Sequence, residues 1–449
     1  MVNDSEKITI VGSGPVGLVA ALDLLRRGKK VEVLDIGIES ETVIDKEIEK
    51  KYKKYLGSIH PYDNNEYLKF EFNQKNEGLT SKSKFGFSIV WGAVWRKDTD
   101  MSPIIRELDE IVLEGLIHEV PNSNRFRVGQ AAICSCISIS ENTMENEIKY
   151  EIPILAISEE ECVWSGKCQN GCSFGAIWTS EILLKACITY KSFEYKSSVF
   201  VEKFKSDVSG IFLTTNIGIL QTDKLILATG PVGNVSILLR SKILNEMHLK
   251  DTQAVFNLYF CTNKLIKHKK QFGLSTLSST LTLEDYKIYT QFYPHIENSI
   301  ERINDSTPRL VRPIAGLIIR MLKNRMIIGL TLLDPSMSGS LKFSIDSDKI
   351  YCETRKNPRQ KNFLKSYRKQ LNQNVKLSGL YQIPAVQKLT KVGESYHLGA
   401  AYPRVWNEYG QLLGDKRIGL AGAAGLEVLE PGPITVHAMA QGLILSRQF

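Results

Sequence analysis

An α/β class is predicted for this 449-residue chain by three observations near its N-terminus. Residues 7–11 form a short β-branched run, and glycines follow at Gly12, Gly14 and Gly17. An apolar pattern of helical spacing runs from Val16 to Leu25 and stops at Arg26, Arg27 and Gly28. A second strand, Val31 to Leu34, then ends on Asp35. Strand, glycine turn, helix and strand in this order make a βαβ unit of the Rossmann-like, dinucleotide-binding kind.

Each part of the unit has a physical task. Gly12 permits the tight turn, Gly14 lets a pyrophosphate approach the backbone, and Gly17 lets the helix pack closely on the strand. The helix N-terminus at Val16 offers unpaired N–H groups and the positive end of a dipole to phosphate. Asp35 stands 18 residues past Gly17, where a carboxylate accepts hydrogen bonds from a ribose diol. Nicotinamide and flavin cofactors share this signature, so the unit alone leaves the two open.

Length and composition bound the rest. A chain of this size is expected to hold two or three structural units and to need no disulfide or metal for its core. Apolar residues are 43% and charged residues 24%, which excludes wholesale disorder, collagen-like repeats and coiled coil. Lys plus Arg is 57 against 49 for Asp plus Glu, a net +8. That mild surplus suits an anionic cofactor or substrate and lacks the concentrated basic stripe of a nucleic-acid binder. Eight irregularly spaced cysteines are too few for a disulfide scaffold. No signal-peptide pattern opens the chain, and no run reaches the length of a membrane span. The nearest run, Ile314 to Leu333, is cut by Arg320, Lys323, Asn324 and Arg325 and reads as two strands about a polar turn. A cytoplasmic location is the expectation.

Further along, Phe85 to Ala93 is a small-residue and aromatic stretch behind a polar linker. Residues 199–230 alternate as short strands and close on Ala228-Thr229-Gly230. His397-Leu398-Gly399-Ala400-Ala401 precedes a strand, Arg417 to Ala421, then a glycine-rich turn and an apolar helix from Pro433 to Leu445. Residues 39–55 read as a charged helix, 310–356 as strands with a turn at 335–339, and 357–375 as a solvated helix. Cys162, Cys168 and Cys172 have x5 and x3 spacings, unlike the paired CxxC of a zinc site, and read as thiols about a glycine turn rather than metal ligands. Cys134 and Cys136 give no signal. His60, beside Pro61, reads as a loop residue.

Taken in order from about residue 7 to 446, these segments resemble the glucose-methanol-choline (GMC) flavoprotein oxidoreductases. The stretch 85–93 is similar to the family's flavin-contacting loop in its form ending Trp-Gly-Gly. Here Ile89 stands for the usual Asn and Ala93 for the last glycine. Residues 225–230 look like the strand and turn over the flavin's adenosine half, and 162–176 is similar to a Gly-Cys-Pro-x-Gly-Ala element. The end of the chain looks like the His-x-x-Gly-Thr element with Ala400-Ala401 for Gly-Thr. Gly422-Ala423-Ala424 stands where the family has an acidic residue, and Pro431-Gly432 where it has a second active-site His or Asn.

The resemblance implies an FAD-binding unit from 1–57, 176–248 and 391–449, interleaved with an α+β antiparallel-sheet substrate unit from 58–175 and 249–390. It implies FAD contacts from Gly12, Gly14, Pro15, Val16, Gly17, Asp35, Ser88, Trp91, Gly92, Val201, Ala228, Thr229, Gly230, Gly422, Ala423, Gly432, Pro433 and Ile434. His397 is the expected general base, being the side chain already poised near neutral pH. His437, in the last helix, is the candidate for the second catalytic residue, against the plainer reading of a core histidine. The activity implied is oxidation of a hydroxyl on a sugar, glycoside or other polar small molecule, with oxygen, a quinone or a protein carrier as acceptor. The departures leave two rivals: a flavoenzyme of another redox step, and a flavin-fold binding protein without turnover.

Overall fold

The structure is a computed structural model that describes residues 6–38, 70–72, 80–96, 102–117, 144–145, 148–151, 153–158, 161–164, 168, 172, 174–261, 273–293, 317, 321, 325–374 and 380–449. The charged run 39–55, His60, Cys134 and Cys136 lie outside these residues.

A five-stranded parallel sheet carries the N-terminal unit. Its order is Ile418–Leu420, Lys224–Leu227, Lys7–Val11, Lys30–Leu34, Phe193–Lys196. Side chains alternate along these strands, so each strand feeds two cores. Ile8, Ile10, Val31, Val33 and Ile226 pack with the first helix, Pro15–Arg26, and the last, Thr435–Ser446. Val11, Leu34, Leu225 and Leu227 pack on the other face with the helix Gly230–Arg240. A Cβ on Gly17 would collide with the Gly12 carbonyl oxygen, which explains why the first helix can lie so close to its strand.

Glu32 was not legible as a structural residue. It is buried mid-strand, where it accepts from Thr9 Oγ1 at 3.0 Å and pairs with Lys196 at 2.6 Å and Lys7 at 3.2 Å. Those two cations outweigh the burial cost and hold its carboxyl below the usual range.

The remaining sheets are largely antiparallel. Seven strands run in the order Leu380–Leu389, Ala254–Cys261, Met326–Leu332, Tyr286–Tyr293, Leu277–Leu283, Ile148–Glu151, Met144–Glu145. The helix Gln360–Asn374 packs on this sheet through Phe363 and Tyr367. A five-stranded sheet joins Leu398–Tyr402, Glu246–Asp251, Ser340–Asp346, Lys349–Arg355 and Phe70–Phe72. The strand Glu246–Asp251 runs through the expected 248/249 boundary and pairs with Ser340–Asp346 on one side and Leu398–Tyr402 on the other. Val201–Asp207, Gly210–Thr215 and Gly218–Thr222 form a separate meander. Among the described residues no helix is long and apolar enough to cross a membrane.

Two local expectations are corrected. Leu317 and Met321, the residues described in the first half of the 314–333 run, are helical where their apolar character indicated a strand. The last helix starts at Thr435 with Ile434 as its N-cap, so Pro433 precedes the helix instead of occupying its first turn.

Candidate active site

Parallel register brings the glycine and acid positions to one edge. Val11, Leu34, Leu227 and Leu420 end adjacent strands, so Gly12, Asp35, Ala228 and Ala421-Gly422 follow side by side. The carboxyl ends of a parallel sheet are where such folds take ligands. Backbone bonds fix the row: Gly12 N–H donates to Leu34 O at 2.8 Å, Ala228 N–H to Val11 O at 2.9 Å, and Ala421 N–H to Leu227 O at 2.9 Å.

The turn between the first strand and helix fits a phosphate. Gly12 holds φ at 110°, and a Cβ there would lie 2.5 Å from the Ala228 carbonyl oxygen. Around Gly14 there is open space: a Cβ would meet nothing within 4 Å. Gly14 is the N-cap of the first helix, Pro15 opens it, and no side chain caps it. The first-turn N–H groups of Val16 and Gly17 therefore face the same opening, the arrangement that binds anions.

Asp35 closes one side. Its Oδ2 accepts from Ser13 Oγ and from Tyr195 O–H at 3.2 Å. Burial pushes its carboxyl up to about 6 against those donors. Ser13 Oγ in turn accepts Phe85 N–H at 3.1 Å, which draws the 85–92 loop over the glycine turn. A Cβ on Gly86 would sit 3.7 Å from Gly14 Cα. Ser88 Oγ donates to Phe85 O at 2.7 Å and receives Ser180 N–H at 3.2 Å. Trp91 Nε1 donates to Trp178 O at 2.8 Å. The polar atoms of Ser88 and Trp91 thus hold the loop in place, and Gly92 borders open space.

On the other side, Thr229 precedes the helix Gly230–Arg240, and its N–H and Oγ1 both donate to Asn234 Oδ1, at 2.9 and 2.8 Å. Asn234 Nδ2 then donates to Ala421 O at 3.0 Å. Gln441, in the last helix, accepts Gly422 N–H at 2.5 Å and donates to Leu420 O at 3.2 Å. These buried amides lock the strand ends together, and neither was singled out from the sequence, since an amide in a helix has no motif of its own. Val201 starts the meander and is buried in the core on that face.

The His397 loop reaches the same edge. Phe87 of the 85–92 loop packs on Tyr396 with ring centroids 5.9 Å apart. A Cβ on Gly399 would lie 2.6 Å from Ala423 O, so the strand after His397 presses on the turn after Gly422. His397 is half-buried, and its Nδ1 is enclosed without a hydrogen-bond partner among the described residues. Burial pulls its imidazole down to about 4, well below the near-neutral value expected from the residue type. The ring is therefore neutral at pH 7, the form that accepts a proton. His437 is buried in the first turn of the last helix.

Arg96 also was missed, because a single arginine after Trp95 carries no pattern. It is buried, donates to Pro431 O at 2.5 Å, lies 3.6 Å from Glu430, and stands 5.0 Å from the centroid of Tyr289. Gly432 abuts the same guanidinium. A permanent cation thus adjoins the Pro431-Gly432 position. Cys162, Cys168 and Cys172 form no disulfide among the described residues and lie half-buried against the core, and burial pushes Cys168 up to about 11.

Comparison with known proteins agrees with this architecture. Residues 7–60 match the family described as pyridine nucleotide-disulphide oxidoreductase. No curated protein matches the chain. Among solved structures, pyridoxine 4-oxidase from Mesorbium loti superposes with a TM-score of 0.64 at 12% identity, covering 99% of each chain. A formate oxidase of Aspergillus oryzae RIB40, studied for the effect of a mutation on FAD modification, gives 0.58 at 12% identity, covering 100% of this chain and 98% of that one. These likenesses run over the whole length and establish the fold: a Rossmann-like parallel-sheet unit joined to antiparallel sheets, as in those two oxidases.

Proposed function

We propose that this chain is an FAD-dependent oxidoreductase that oxidises a hydroxyl of a sugar, glycoside or other polar small molecule, with His397 as general base. The observation that supports the reading is that an open glycine turn at Gly14 and the carboxyl of Asp35 share one sheet edge, with the segment around His397 packed against it through Tyr396 and Gly399. The two oxidases of the same fold support it.

Gly12, Gly14 and the first-turn N–H groups hold the pyrophosphate, and Asp35 takes the ribose diol. The loop 85–92, Thr229-Gly230 and Gly422-Ala423 would line the rest of the FAD site. The FAD-binding unit takes 1–57, 176–248 and 391–449, and the substrate unit 58–175 and 249–390. When bound, FAD supplies the acceptor for the hydride leaving the carbinol carbon. His397 receives the hydroxyl proton on its neutral ring. The Arg96 guanidinium, next to Gly432, keeps positive potential at the start of the last helix, where negative charge is favoured.

The purified protein is expected to be yellow, absorbing near ~450 nm as oxidised flavin does. Under anaerobic conditions a panel of D-glucose, methyl glucoside, pyridoxine, glycerol and benzyl alcohol is expected to include a donor that bleaches it. His397→Ala is expected to slow that bleaching by roughly 10²–10⁴-fold. A colourless protein that takes up no FAD would overturn the cofactor assignment. Bleaching by His397→Ala at the wild-type rate would overturn the base.

A further inference from the structure

We propose that Asp251 is a positioning residue for His397, holding the imidazole on the sheet edge through Ser395; this rests on the reading of His397 as the base. Asp251 closes the strand Glu246–Asp251 and is wholly buried, at 0% exposure. A carboxylate in that position needs a reason, because burial without partners is costly. Two of its partners, Gly393 and Ser395, come from the loop leading to His397. Oδ2 accepts Gly393 N–H at 2.7 Å, and Oδ1 accepts the Ser395 hydroxyl. With its proton given to Asp251, Ser395 Oγ is free to accept the His397 N–H, which it does at 3.0 Å.

The next residue completes the clamp. Thr252 donates to the His397 carbonyl with its N–H at 3.2 Å and its hydroxyl at 3.3 Å. Both peptide groups of His397 are thus tied to the dipeptide Asp251-Thr252, one through a relay and one directly. His397 Nδ1 has no hydrogen-bond partner among the described residues, so the backbone clamp sets where the ring starts. Tyr396 holds φ at 60°, a left-handed conformation that a loop keeps only when its surroundings impose it. The clamp spans 144 residues of sequence between Asp251 and Ser395, and no local pattern announces it.

The relay is built for the ionised carboxylate, which accepts twice. Burial pushes Asp251 up to about 7 and Glu394 adds to the effect, while Ser395, Gly393 and Thr252 pull it down. Glu394 itself pairs with Lys391 at 3.6 Å. The flanking strands bring Leu398 beside Asp251 and Ser340 beside Lys250. As pH falls through about 7 the carboxyl takes up a proton and the acceptor that orders Ser395 is weakened. His397, with its own value about 4, stays neutral over that range.

The test uses the purified FAD-loaded protein labelled with ¹⁵N-histidine, and reads the His397 ring nitrogens from pH 5 to 9. His397→Ala assigns the signal among the seven histidines. In the wild type the signal is expected to carry an inflection near pH 7 that does not charge the ring. Asp251→Asn, a shape-conserving change, and Ser395→Ala, which cuts the relay while sparing Asp251, are each expected to abolish that inflection and broaden the signal. Both are also expected to slow anaerobic bleaching by the fastest donor of the panel by roughly 10–100-fold, the cost of a misplaced catalytic group. An inflection that persists in Ser395→Ala, or a wild-type signal without one, would overturn the proposal whatever the bleaching rate. Loss of the inflection alongside normal bleaching in His397→Ala would leave Asp251 as the positioner of a residue that is not the base.

Discussion

Ala400 and Ala93 hold φ at 44° and 54°, in the region where a Cβ crowds the backbone. Both stand where the GMC pattern has glycine, and both flank functional elements: Ala93 ends the 85–92 loop and Ala400 lies three residues past His397. A left-handed alanine costs roughly 1–2 kcal/mol, of which glycine's extra chain entropy returns about half. Ala400→Gly and Ala93→Gly are each expected to raise stability by about 0.5–1 kcal/mol in urea unfolding. A lower midpoint for Ala400→Gly would mean that packing of its buried methyl outweighs the strain. The sequence showed the substitution at these sites. Its price in backbone conformation became visible only with the dihedral angles.

Among the elements, the first helix and its turn separate folding from binding. Gly17 is demanded by the protein itself, since a Cβ there strikes the Gly12 carbonyl, whereas Gly14 faces open space. Gly17→Ala is therefore expected to destabilise the chain by about 3 kcal/mol or more, as overpacking against rigid backbone does. Gly14→Ala is expected to leave the unfolding of the FAD-free chain within about 0.5 kcal/mol of wild type. It should nevertheless lower FAD affinity by at least tenfold in a fluorescence titration, because its methyl enters the space meant for phosphate. Equal FAD affinity in Gly14→Ala would place the pyrophosphate elsewhere. The three glycines were legible because their spacing between strand and helix is a local pattern. The amides of Asn234 and Gln441 were not, because their partners lie on strands far along the chain.

For the whole molecule, the displaced ionisations of Asp35, Asp251 and His397 couple stability to pH. Asp35 and Asp251 keep protons in the folded state up to about 6 and about 7, above their ordinary 3.8. Between those limits the unfolded chain has already released them, so their contribution to stability falls as pH rises. His397 has the opposite sign: folded it titrates at about 4 against an ordinary 6.5, so stability is lost as pH falls from 6.5 toward 4. His397→Gln removes only the second effect. Relative to wild type it is expected to gain up to about 2 kcal/mol on going from pH 8 to pH 5, at about 1.4 kcal/mol per pH unit below 6.5. Urea midpoints of the FAD-free proteins at the two pH values check this. A difference independent of pH would show the imidazole to be solvated.

The sequence by itself determined the βαβ unit, the glycine turn, Asp35 and the strand-to-helix order of the C-terminal segment, because those depend on spacing within a few tens of residues. It also pointed to His397 through the small residues around it, though not to the low proton affinity that burial gives the ring. What only the tertiary structure decided is how distant segments share one edge: Asp251 with Ser395, Arg96 with Pro431, Gln441 with Gly422, Phe87 with Tyr396. A buried polar group acquires its meaning from the partner that satisfies it. That partner is chosen by strand register and helix packing, which no local run of residues encodes.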